Sequence, residues 1–214
     1  LVGSFKNSKI ALDELNLFYN EFGVNELATV NANLTGTLNN LTLNDLYLTT
    51  SKETIIDGDV KLKNLFKSTP GNFVMDGKFN RVISKYSDLK SLLPNVLGNS
   101  IPSIIGKLGR FEIQGESKIT SKNIIADLDI STDLGFIISK LEMINIDDID
   151  YASYEGNIVF DEFSIGELID DPKVGRISMN TDVNGKGFTL DNINTFIKGT
   201  IYGLDYNEYY YSNL

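Results

Sequence analysis

Histidine, cysteine and tryptophan are all missing from this chain of 214 residues, and the first two absences remove most of the chemistry proteins perform. Without histidine there is no side chain that ordinarily titrates near neutrality, and the commonest metal ligand is gone. Without cysteine there is no thiol nucleophile, no disulfide and no thiolate zinc site. Ser-His-Asp triads, Cys-His dyads and most transition-metal centres are thereby excluded. Carboxylate, Lys or Tyr chemistry remains, or none, and the composition favours none: a non-enzyme without a cofactor. The lack of cysteine suits a reducing and an oxidising compartment alike and does not place the protein.

Long apolar runs are missing too. Stretches such as Phe136-Ile137-Ile138 fall far short of the roughly 20 residues a membrane-spanning helix needs. Nor is there a basic stripe. The 19 Lys and Arg are scattered and the net charge is -10. That argues against nucleic acid, whose binders replace phosphate counterions with clustered cations, and against adsorption on an anionic membrane surface. What is present is ordinary for a folded protein, 42% hydrophobic and 22% charged residues, which is too apolar for disorder. The length fits one large β domain or two smaller ones. The opening Leu1-Val2-Gly3, without Met or a basic leader, and the strand-like ending Tyr209-Tyr210-Tyr211-Ser212-Asn213-Leu214 suggest an interior piece of a longer protein.

The dominant period is two. Apolar residues fall at Val30, Ala32, Leu34 and Leu38, with Gly36 in phase, and then at Leu41, Leu43, Leu46 and Leu48. Such alternation describes strands with one buried and one wetted face. The two-residue steps at Asn39-Asn40 and Asn44-Asp45 are places for hairpin turns or bulges. The same pattern returns at Ile56-x-Gly58-x-Val60-x-Leu62, Met75-x-Gly77-x-Phe79 and Ile113-x-Gly115. It recurs at Tyr154-x-Gly156-x-Ile158-x-Phe160, which steps across Asp161-Glu162 into Phe163, and at Ile197-x-Gly199-x-Ile201, which steps across Tyr202-Gly203. The spacing between copies is uneven, which favours an antiparallel meander over a fixed-repeat solenoid.

Two stretches depart from that period. From Ser84 to Leu97 the apolar residues Tyr86, Leu89, Leu92, Leu93, Val96 and Leu97 are spaced by three and four, predicting a short amphipathic helix interrupted by Pro94. A loop or second short helix follows to Gly109. Ile165 to Leu168 has room for one helical turn before Asp170-Asp171-Pro172. The expected organisation is a first β part over 1–80, a helical insertion over 81–109 and a second β part over 110–214, together one continuous unit.

Four candidate sites each have a plainer reading. Asn180-x-Asp182-x-Asn184-Gly185-x5-Asp191 approaches a calcium loop, but its first and last ligands are wrong and its flanks read as strands. The plainer reading is a polar strand face and a turn. Asp147, Asp148 and Asp150, like Asp170-Asp171, read as solvated turns. Ser87-x-x-Lys90 has the nucleophile spacing of penicillin-interacting enzymes without their companion motifs, and reads as an exposed helix face. Asn33-Leu34-Thr35 and Asn40-Leu41-Thr42 are formal glycosylation sequons. The apolar stripe is the remaining candidate. It fits either a closed β-sandwich core or a groove whose apolar floor faces lipid chains, and alternation alone is compatible with both.

The run from Phe160 to Gly175, with Gly166-Glu167-Leu168-Ile169-Asp170-Asp171-Pro172 inside it, resembles the TamB proteins of Bacteroidetes-type bacteria. So do Asp182-Val183-Asn184-Gly185-Lys186-Gly187, Ile197-Lys198-Gly199-Thr200-Ile201, Asn33-Leu34-Thr35-Gly36-Thr37-Leu38 and Ser87-Asp88-Leu89-Lys90-Ser91-Leu92-Leu93-Pro94. The similarity covers most of the chain through β repeats, with no catalytic signature among them. It implies an AsmA-like, bridge-type lipid-transfer protein of the translocation and assembly module. Such a protein is anchored in the inner membrane and crosses the periplasm in support of outer-membrane biogenesis. The implied fold is all-β with a short helical insertion: an elongated antiparallel meander curled into an open, U-shaped β groove, or β-taco, with an apolar interior. The implied ligand is phospholipid. The implied partner is an outer-membrane β-barrel protein of the TamA type, met through parts of the full protein outside this chain.

On that reading the groove is lined by Leu34, Leu38, Leu41, Leu43, Val60, Leu128, Ile130, Ile158, Phe160, Phe163, Ile197 and Ile201. The pattern divides into about 14 strands, for a groove on the order of 65 Å. The alternative from another class is a structural or adhesive β-sandwich with a closed core and no lipid. A carbohydrate-processing enzyme would need an acid and base pair that the sequence does not set apart.

Overall fold

The structure is a computed structural model and describes residues 1–17, 23, 25–64, 73–92, 94, 103–148, 150–188 and 192–214. The alternating stretches form strands, except at Leu38. Six strands occupy the first part of the sheet: β1 (Val2–Ala11), β2 (Leu27–Gly36), β3 (Asn40–Thr50), β4 (Ile55–Lys63), β5 (Val74–Lys85) and β6 (Arg110–Thr120). Six more follow: β7 (Asn123–Thr132), β8 (Gly135–Ile144), β9 (Ser153–Ser164), β10 (Val174–Lys186), β11 (Asn194–Tyr206) and β12 (Tyr209–Ser212). They form one antiparallel sheet in strict sequence order, β1 to β12. The first and last strands do not pair with each other, so the sheet is open. Twelve strands among the described residues, not about 14, span roughly 53 Å at about 4.8 Å per interval.

Short polar connections hold the register. Between β2 and β3, Thr37 and Asn40 exchange backbone hydrogen bonds of 2.8 and 3.1 Å. Between β6 and β7, the Asn123 N–H donates to Thr120 Oγ1 at 2.8 Å. β11 and β12 are joined by Asn207 and Glu208, with φ of 51° and 69°, the paired left-handed geometry that matches strand twist in two-residue hairpins.

Because the register is regular, side chains of one parity line up from strand to strand. One line of directly opposed residues runs Leu48, Ile56, Val82, Ile113, Ile130, Ile137, Phe160, Met179 and Ile201. Each such pair contributes about 0.2–1 kcal/mol beyond what small side chains would give. The opposite parity carries ion pairs such as Lys78 with Glu116 at 3.2 Å and Lys140 with Asp127 at 3.1 Å. These are exposed, and such pairs act mainly as a wettable surface.

The helical pieces gather at one end of the strands. A 3-10 turn (Leu12–Leu17) and α1 (Tyr86–Leu92) bring Leu12 and Leu92 onto Ala28, Val30, Ala32, Leu46 and Val60. A second 3-10 turn (Ser103–Leu108) and α2 (Ile165–Ile169) bring Leu108, Ile105, Ile165 and Leu168 onto Leu134, Phe163 and Ile177. α2 stops at Asp170, whose φ is 58°, and Asp171 N–H bonds back to Gly166 O at 3.0 Å. At Gly166 a side chain would fall 1.7 Å from Val174 O, so this turn can pack on β10 only with glycine there.

The helix expected from Ser84 begins later, at Tyr86. Ser84 belongs to β5 because it pairs with Phe111 and its Oγ lies 2.8 Å from Thr54 Oγ1 in a buried contact. Breaking that contact would leave the buried Thr54 hydroxyl without its partner. Leu93, Val96 and Leu97 of the expected helix lie outside the described residues. β5 runs through the expected boundary at residue 80 and pairs with β6, so the insertion is an excursion from a continuous sheet.

Candidate apolar groove

Eleven of the twelve positions expected to line a groove share one face of the sheet. Leu34, Leu43 and Val60 are opposed in register, and Leu41 sits one row toward the strand ends. Leu128 pairs with Ser139, which pairs with Ile158. Ile130, Phe160 and Ile201 belong to the nine-strand line above, and Ile197 pairs with Val183. Leu38 is the exception. It occupies the hairpin between β2 and β3, 63% exposed, because Thr37 and Asn40 already close the ladder there.

Phe163 shares the face but sits at its closed end, wholly buried. Its ring lies 4.8 Å from that of Phe160, and α2 and the second 3-10 turn pack against it. The lining read from the sequence left out Ile113, whose repeat copy it had found, and missed Ile119, Ile124, Ile137, Leu141 and Met143, which fill the same face of β6, β7 and β8. In β7 and β8 the alternation is masked by Ile125, Phe136 and Ile138, apolar residues exposed on the opposite face.

Curvature varies along this face. Every pairing from β1 to β6 contains a register shift, at Phe5/Ser8, Asn31/Asn33, Leu43/Leu46, Asp57/Gly58 and Phe79/Val82. Shifts return between β9 and β11. The three pairings from β6 to β9 have none. A bulge adds a residue to one strand, bending it and increasing its twist, so the bulged parts curl and the central part runs straighter. Burial is deepest where the curled part meets the helical pieces. Val30, Ala32, Leu46 and Val60 are buried beneath Leu12 and Leu92, while Leu34, Leu43, Leu48 and Ile56 around them are half-buried, as are Ile113, Leu128, Ile130, Ile137 and Leu141 in the straighter part. The floor there also dips, since Gly77, Ser117 and Ala126 stand in one row.

At the closed end a polar knot anchors α1. Glu26 is buried, and Lys52 Nζ pairs with its carboxylate. Ser91 Oγ donates to Glu26 Oε1 at 3.2 Å and accepts from Lys52 Nζ at 2.7 Å. The charge is thus compensated where α1 meets the start of β2 and the β3–β4 turn. Lys107 Nζ donates to Leu168 O at 2.8 Å, satisfying a carbonyl at the end of α2.

The other candidates resolve into structure. Asn180, Asp182 and Asn184 lie along extended β10, not in a loop that wraps an ion. Asn157 Nδ2 donates to Asn180 Oδ1 at 2.8 Å and Asp182 Oδ1 at 2.9 Å, and Asn184 Nδ2 donates to Glu155 Oε2 at 3.2 Å. Asp191 is outside the described residues. The Asp147–Asp150 turn is tied down by Asn192 Nδ2, 2.8 Å from Asp150 Oδ1. Among the described residues no group of acidic side chains is arranged to hold a metal. Ser87 Oγ donates to Asp88 Oδ1 at 3.0 Å, and Lys90 Nζ lies over the Tyr86 ring, 5.9 Å from its centre, so serine and lysine are not coupled. A hollow of about 730 Å³ opens on the polar face among Asp127, Lys140, Glu142, Glu155 and Asn157. Its groups are largely engaged with one another, and it is not part of the apolar surface.

No family model, curated protein or solved structure matches this chain. Among the described residues, no helix is long and apolar enough to cross a membrane.

Proposed function

We propose that the apolar face of the sheet binds phospholipid acyl chains and guides them without catalysis, as a segment of a TamB-like, inner-membrane-anchored protein of the periplasm. The observation that carries this reading is an apolar face continuous over successive strands of an open sheet, only half-buried along β6–β8. An acyl chain laid there removes apolar area from water on both sides, worth about 25 cal/mol per Å². It requires no fixed polar contact, in keeping with a face that carries almost no charge.

The open strand ends leave a head group in solvent, and the helical pieces close the opposite ends. Passage between inner and outer membranes, with a TamA-type barrel as receiver, belongs to the same reading and rests on the family resemblance alone. The test is mass spectrometry of an organic extract of the purified chain. Phospholipid is expected in near-stoichiometric amount in the parent and is lost from Ile158→Glu, which puts a carboxylate in the groove. A parent that carries no lipid, and takes up none from vesicles, defeats the proposal.

A further inference from the structure

Five polar side chains are buried among the described residues: Glu26, Thr54, Ser84, Ser139 and Thr181. Four of them have partners. Lys52 pairs with Glu26, the hydroxyls of Thr54 and Ser84 lie 2.8 Å apart, and Thr181 Oγ1 donates to Lys198 O at 3.2 Å. The Ser139 hydroxyl has no partner among the described residues, and its oxygen is not sealed off from the groove.

The register explains why this serine is buried. Ser139 lies on the apolar face of β8, directly between Leu128 of β7 and Ile158 of β9, with Ile137 and Leu141 before and after it on the same face. Those four side chains are all larger, so serine forms the bottom of a dip one side chain deep, in the part of the sheet without bulges. It is 7% exposed, and the four around it are half-buried.

Water satisfies the hydroxyl while the dip is empty. An acyl chain pressed into the dip expels that water. A chain made only of hydrocarbon then leaves the hydroxyl buried without a partner, which offsets part of the gain from apolar burial. A chain with an oxygen at this depth replaces the lost bond.

We propose that Ser139 selects acyl chains that carry an oxygen substituent in the body of the chain, donating a hydrogen bond from Oγ to that oxygen. The inference rests on the reading of this face as an acyl-chain groove and adds a preference to it. The position of Ser139 sets this oxygen apart from the ester beside a head group. Five residues of β8 follow it, to Ile144 at the open strand ends where the head group stays in solvent, a distance of roughly 17 Å.

Displacement of a fluorescent fatty acid from the delipidated chain tests it. The competitors are stearate, a stearate hydroxylated in the body of the chain, and one hydroxylated beside the carboxyl group. The parent is expected to bind the first hydroxystearate about threefold to tenfold more tightly than stearate, with no such gain for the second. Ser139→Ala should weaken binding of the first hydroxystearate and tighten that of stearate, because alanine leaves no hydroxyl to desolvate. A merely structural role would not move the two ligands in opposite directions. Ser117→Ala, which removes another hydroxyl from the same face, should keep the parent's preference. A parent that binds all three competitors alike leaves the groove reading standing and overturns this inference. So does a preference that survives Ser139→Ala, one that is lost in Ser117→Ala, or one that follows the hydroxyl beside the carboxyl group. A parent that binds no fatty acid overturns the groove reading and this inference with it.

Discussion

The inner faces of β2–β4 and of β6–β8 are written in the same alternating pattern and end in different states. In β2–β4, Val30, Ala32, Leu46 and Val60 are sealed beneath Leu12 and Leu92, with Leu34, Leu43, Leu48 and Ile56 half-buried around them; in β6–β8, Ile113, Leu128, Ile130, Ile137 and Leu141 are all half-buried. Hydrophobicity does not separate them. Bulges and cover do: each pairing in the first region has a bulge and the first 3-10 turn and α1 pack on it, and the pairings from β6 to β9 have no bulge. A sheet that curls under a helical cover becomes a core, whereas a straighter stretch of the same sheet keeps its apolar face available. Scaffold and binding surface can therefore be made from one repeat by placing single extra residues and a helical cover.

The largest expected effect comes from putting the same charge in each region. Val60→Glu buries a carboxylate at a site only 6% exposed. Without a cation in reach this costs several kcal/mol, enough to unfold a domain of ordinary stability, on the order of 5–15 kcal/mol. Thermal unfolding well below the parent is the expected result. Leu128→Glu, on the half-exposed face, costs about 1 kcal/mol and leaves a cooperative melt. If the two variants melt alike, the two regions do not differ as described.

Next in size is Phe163→Ala at the closed end, where the ring is fully buried against α2 and the second 3-10 turn. The lost burial and the cavity together should cost about 3–5 kcal/mol in chemical denaturation.

Much of this was legible in the sequence. The antiparallel meander and the face shared by Leu34, Leu43, Val60, Ile130, Ile158 and Phe160 follow from period-two patterning, because parity decides the face once neighbouring strands pair in register. The steps at Asn44-Asp45 and Asp161-Glu162 became bulges, with left-handed Asp45 and Glu162 at φ of 52° and 49°. Leu38 was misplaced because its parity matches a strand whose ladder had already closed. Ser84 was misplaced because its decisive partner, Thr54, is thirty residues away and helical spacing is local. The difference between sealed and open regions depends on where bulges accumulate and where the helical pieces pack, properties of paired strands that no single strand displays.

The smallest effects sharpen the comparison by sign. Glu162 holds a left-handed conformation at a bulge, with only an exposed contact to Arg176 at 3.4 Å. Glu162→Gly should therefore be neutral or raise stability by about 0.5–1 kcal/mol. Glu142 lies in unbulged β8, and Glu142→Gly should lower stability by about 0.5–1 kcal/mol. Denaturant midpoints of the pair decide it: shifts of the same sign would mean that the bulge is not where the backbone departs from ordinary strand.

The central claim is that the straight part of the sheet is the part that holds acyl chains. The direct measurement places a photo-crosslinking amino acid at Leu128 in one variant and at Val60 in another, irradiates each with phospholipid vesicles, and weighs the products. The account predicts phospholipid adducts at Leu128 and none, or a small fraction of that yield, at Val60. Equal labelling at both positions, or none at Leu128 in a folded protein, would contradict it.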